Sequence, residues 1–98
     1  MEKLPNIHPG EVLLEEFLKP IGISQNYLTM MIGVFSRRIT EIVPGKRRIT
    51  ADTASRLARY FGTSAKFWLG LQMDYDLDVA ADELGERLDN KISARIAI

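Results

Sequence analysis

The chain has 98 residues, no cysteine, one histidine, and 13 basic against 13 acidic residues, for a formal net charge of zero. That length fits a single domain with a modest core, the missing cysteine excludes disulfides and thiolate–metal sites, and no apolar run reaches the ~20 residues of a membrane span. The N-terminus MEKLPNIHPG carries no apolar signal region, so a cytoplasmic protein is expected.

The zero net charge conceals a division along the chain. Residues 1–18 hold one basic and four acidic residues (−3), residues 19–66 hold nine and two (+7), and residues 67–98 hold three and seven (−4). A phosphate backbone meets the local field, so the basic middle suits nucleic acid although the whole chain is neutral.

Strand signals are nearly absent, and the chain divides into amphipathic helices. A first helix is expected from near Pro9, with Glu11, Glu15 and Glu16 early and Lys19 late, in the sense of the helix dipole. Val12, Leu13, Leu14 and Phe17 form its core face, and Pro20 and Gly22 stop it. Ser24 then caps a short helix with Leu28 and Met31 on its apolar side. Gly33 supplies the positive φ needed to reverse the chain in three or four residues.

A second short helix follows, with Ile39, Ile42 and Val43 buried and Pro44-Gly45 at its end. Two short helices joined by a glycine turn form the plan of a helix-turn-helix, whose second helix lies in the DNA major groove. That plan turns Ser36, Arg37, Arg38, Thr40 and Glu41 toward base edges. Arginine reads guanine O6 and N7, and glutamate can accept from cytosine N4. Gln25, Lys46, Arg47 and Arg48 are the candidate phosphate contacts.

Thr50 or Thr53 caps the next helix, in which Ala54, Leu57, Ala58 and Phe61 repeat at helical spacing, Arg56 and Arg59 face outward, and Gly62 ends it. Ser64 opens a helix with Trp68, Leu71 and Tyr75 on one side. Leu84, Leu88 and Ile92 recur every four residues beyond it, around an uncertain boundary at Gly85. These six, Trp68, Leu71, Tyr75, Leu84, Leu88 and Ile92, are the candidate dimer residues. The outer row is expected either on a two-fold partner or folded back on its own domain.

Catalysis finds no support. His8 is a lone histidine beside a proline, better read as cap or packing than as a metal ligand. Glu15 and Glu16 are adjacent and diverge on a helix, and Gly45-Lys46 lacks the strand and glycine loop of a phosphate-binding loop. Neither a cofactor nor a metal is expected.

The stretches IHPGEVLLEEFLKP, SQNYL, IGV, RRITEIV, GKRRITADTASRLARYFGTSAKFWLGLQ and YDL, collinear from about Ile7 to Val79, resemble the HigA-type (VapI-like) antitoxins of the Xre/Cro-like helix-turn-helix group. The resemblance implies an all-α, lambda-repressor-like fold of about five helices. A helix-turn-helix domain would span 7–79 with its motif at 24–43, and a helical extension 80–98. It also implies a nucleoid-associated homodimer that represses its own operon and neutralises a RelE-like, mRNA-cleaving toxin. A solitary Cro-like repressor, and a toxin-binding protein with decayed DNA specificity, are the alternatives. Thr29 stands where the family usually has alanine at the helix crossing, Met30-Met31 where Arg and Ala are usual, and Pro44 where a polar phosphate-contacting residue is common.

Overall fold

The computed structural model describes residues 5–95; residues 1–4, and residues 96–98 of the C-terminal extension, lie outside the described residues. The described residues form five helices and no strand. α1 runs through residues 9–21 as Pro9–Val12, a wider π-helical stretch Leu13–Leu18, and Lys19–Ile21. α2 is Gln25–Ile32, α3 Ser36–Ile42, α4 Ala51–Phe61 and α5 Ala65–Lys91.

Side chains punctuate this series as the sequence suggests. The hydroxyls of Ser24, Thr50 and Ser64 accept from the N–H groups of Tyr27, Thr53 and Phe67 at 3.0, 3.4 and 3.0 Å, satisfying orphan donors of the first turn. His8 does the same for α1, its Nδ1 accepting from the Gly10 N–H at 2.9 Å. One expectation fails: Pro20 does not stop α1. A proline ring clashes with the carbonyl four residues back, but here the preceding turn is wider, with the Lys19 N–H reaching five residues back to the Leu14 carbonyl. The helix passes through Pro20 and ends at Gly22, whose φ is 81°.

The core gathers Leu13 and Leu18 of α1, Leu28 of α2, Ile39 and Ile42 of α3, Ile49, Leu57 of α4 and Trp68 of α5. Phe17 stacks tilted against both Phe61 and Trp68 at 4.9 Å, and the Trp68 Nε1–H donates to Thr63 Oγ1 at 2.8 Å. Trp68 is wholly buried within its own chain, so it is a core anchor and corrects the dimer assignment for that residue. Leu71 packs partly against the same core. Met31 also departs from expectation: it is half exposed, and Thr29 and Ile32 take the inward positions beside Leu28. Thr29 fills the helix crossing with its hydroxyl donating to the Asn26 carbonyl at 2.6 Å, so burial leaves no polar atom unpaired.

Two close approaches hold the start of α1 against the rest, one at the end of α3 and one on α5. Gly10 is buried so tightly that a Cβ there would overlap the carbonyl oxygen of Ile42 at the end of α3. His8 packs edge-on to Tyr75 of α5, centroids 4.8 Å apart. Burial holds the His8 imidazole below its usual pKa, with Asp76 opposing that shift. The neutral ring is the form that can accept from Gly10.

Candidate nucleic-acid interface

α2, the Gly33 turn and α3 place the predicted readers. Gly33 takes φ 71° and donates its N–H to Met30 and Thr29 carbonyls, closing α2. Arg56, expected only to face outward from α4, adds a second closure. Its Nη1 donates to the Ile32 carbonyl at 2.7 Å and to the Gly33 carbonyl at 3.3 Å. A cation at a helix C-terminus also complements the dipole. Ile39 and Ile42 anchor α3 on the core, which leaves Ser36, Arg37 and Thr40 exposed and Arg38 and Glu41 partly covered.

The charged groups are not independent. Arg38 is paired with Asp52 at the start of α4, and the same carboxylate accepts from Arg56 Nε at 3.1 Å. Glu41 accepts from Arg47 Nε and Nη2 at 3.0 and 2.6 Å and lies 3.6 Å from Arg37 Nη2. Arg48 binds Asp76 of α5 at 2.8 Å. Each carboxyl is held below the ordinary range by its arginine: Glu41 chiefly by Arg47, Asp52 by Arg38 then Arg56, and Asp76 by Arg48 then Gln72. Arg37 keeps 81% of its side chain exposed. Lys46 is exposed, and its N–H donates to the Glu41 carbonyl at 2.9 Å in the turn after α3. Gln25 is half-buried as the first residue of α2.

The structure therefore brings Ser36, Arg37, Arg38, Thr40 and Glu41 onto one short helix and sets Lys46, Arg47 and Arg48 immediately after it. Sequence reading passed over Asp52 and Gln72 as members of this network. Gln72 is buried, accepting from the Ile49 N–H and donating to Asp76, both at 2.8 Å. Its place one turn after Trp68 was the available signal. Outside this region, Tyr75 is partly buried against His8, while Leu84 and Leu88 on the far part of α5, and Ile92 just after it, are exposed. Among the described residues no cluster of His, Asp and Glu could hold a metal ion, and no helix is long and apolar enough to cross a membrane.

Five helices with a glycine-turned pair, the second of that pair short and basic at its start, define a helix-turn-helix protein. A helix-turn-helix family model matches residues 14–68. Virulence-associated protein I of Dichelobacter nodosus is 52% identical over 81 residues, covering 83% of this chain and 75% of that protein. The Pseudomonas aeruginosa antitoxin HigA, solved with the higBA promoter, superposes with a TM-score of 0.91 at 40% identity, covering 94% of this chain and all of that one. An addiction-module antidote protein of the HigA family from Coxiella burnetii gives a TM-score of 0.89, also at 40% identity, with the same coverage. The chain belongs to the HigA/VapI-type antitoxins of the helix-turn-helix family, a class of binding proteins without catalytic activity.

Proposed function

We propose that this protein is a homodimeric antitoxin that represses its own operon through the exposed face of α3 and neutralises a RelE-like, mRNA-cleaving toxin in the cytoplasm, at the nucleoid. The observation carrying the DNA half is the likeness, at 40% identity over nearly the whole chain, to a HigA structure that contains its promoter. The exposed Arg37 on α3 and the Lys46–Arg48 run just after it supply the chemistry. Two copies related by a two-fold axis would set their α3 helices in successive major grooves, about 34 Å apart on a palindromic operator. The toxin half is supported by family membership, and a short toxin-like reading frame beside the gene is its expected companion.

Titration of the promoter fragment and of a scrambled fragment at two salt concentrations tests the DNA half. Tighter binding to the promoter is expected, with affinity falling steeply as salt rises because phosphate contacts release counterions. Equal affinity for both fragments would falsify the repressor reading.

A further inference from the structure

We propose that Phe35 is an unassigned specificity residue of the DNA interface, packing its ring against the 5-methyl group of a thymine at the major-groove edge. This inference rests on the repressor reading above and adds an apolar contact to its charged row.

Phe35 is the most exposed of the exposed large apolar side chains among the described residues, at 89%. The local backbone explains why it points out. After the left-handed turn at Gly33 the chain is extended, with Phe35 at φ −68° and ψ 147°, so neighbouring side chains take opposite sides. Val34 takes the inner side and packs on the core, which sends Phe35 outward.

No structural role accounts for an aromatic ring at this position. It adds nothing to the core, and it occupies the N-cap of α3, where a short polar side chain would accept a hydrogen bond. Ser24, Thr50 and Ser64 do this for α2, α4 and α5, while α3 has no side-chain cap. The position forgoes that stabilisation and leaves a ring in water at the entry of the helix predicted to read DNA.

Residues at the start of a recognition helix are those that reach base edges. The thymine methyl is the one apolar feature of the major groove, and phenylalanine is among the side chains that contact it. Ser36 and Arg37 follow directly, so one helix start would carry a thymine contact beside a guanine donor. An exposed Phe could also serve a protein partner, and the experiment separates the two.

The probe is the promoter duplex, narrowed by footprinting, with each thymine of both half-sites replaced in turn by deoxyuridine, which lacks only the methyl. For the unsubstituted protein, one thymine position is expected to matter, by about fourfold per half-site, the worth of one buried methyl-sized group. Phe35→Ser supplies the missing cap, so it should melt no lower than the parent while binding the thymine operator more weakly by the same factor. At that position it should no longer distinguish thymine from uracil. Phe35→Leu, which keeps an apolar side chain, should retain part of the discrimination. Undiminished methyl sensitivity in Phe35→Ser would overturn the proposal, as would unchanged operator affinity or the absence of any methyl-sensitive thymine. Retention of all DNA properties with loss of partner-protein binding would overturn it in favour of a protein contact. Failure to distinguish promoter from scrambled DNA with thymine intact is a separate result, which removes the repressor reading itself.

Discussion

At the scale of single residues, the interface is a set of arginines already engaged by carboxylates. Arg38, with 29% of its side chain exposed, is drawn toward α4 by Asp52, and Asp52 is shared with the Arg56 that closes α2. Arg37 is the arginine of α3 with its side chain mostly in solvent, which favours it as the guanine reader. Asp52 then holds a negative charge beside Arg38, one of the groups proposed to meet DNA. Asp52→Asn keeps an acceptor and removes that charge. It is expected to strengthen binding to promoter and scrambled DNA alike and to steepen the salt dependence by about one logarithmic unit of slope, as one more cation is released to phosphate. A fall in the promoter-to-scrambled ratio would mean instead that Asp52 aims Arg38 at a base. The sign with pH is also fixed. Because Asp52 has a depressed folded pKa, its contribution to stability is present above the ordinary carboxylate range and is lost as pH falls through the lower folded value.

At the scale of elements, what can be read from the chain is what its near neighbours decide. Ser24, Thr50 and Ser64 act on N–H groups three residues away, the Gly33 turn needs only its own φ, and Ile39 and Ile42 repeat within one turn. These were legible. Arg56 reaching the end of α2, Asp52 meeting Arg38, and Gly10 against Ile42 join residues 14 to 32 positions apart, which helical periodicity does not report. Pro20 does not end α1 because the π-turn before it changes the register that a proline interrupts, which spacing alone does not report. Trp68 was ambiguous because spacing identifies an apolar face without saying whose core receives it. The Gly10 approach is the strongest of the long-range constraints. Gly10→Ala would force α1 away from the Ile42 carbonyl, at an expected cost of about 1–3 kcal/mol or more. At ~4–8 °C of Tm per kcal/mol for a domain of this size, calorimetry resolves such a loss. Gly70→Ala makes the same chemical change within α5, where an added Cβ has open space, and is expected to stabilise by up to about 1 kcal/mol through helix propensity. Equal effects of the two substitutions would refute the close approach.

At the scale of the whole molecule, the elongated shape is consistent with the proposed homodimer. The radius of gyration is 16.8 Å and the principal extents are 52 × 33 × 21 Å, against about 13 Å for a compact domain of 100 residues. The excess comes from the far part of α5, whose residues 81–91 are exposed throughout. Gly85, at φ 32° and ψ −122°, breaks the helix there and re-aims its last turns. Leu69, Met73 and Leu77 before the break, and Leu84, Leu88 and Ile92 around and after it, are apolar and open to solvent. None of these side chains belongs to the core of its own domain. A two-fold axis would cover it by placing the same row on both subunits in a self-complementary contact. Such an axis would also set the spacing between two α3 helices. Asp82, Glu83, Glu86 and Asp89 keep this arm acidic, which suits a protein contact held away from phosphate. Leu84→Asp combined with Leu88→Asp is therefore expected to give a folded monomer, with helical circular dichroism retained because neither side chain belongs to the core. Operator binding should fall by far more than any change in one half-site, since each subunit would bind alone. Sedimentation equilibrium decides the matter: an intact dimer would place the subunit contact elsewhere, and a general loss of helix would show that the arm supports the fold of its own chain.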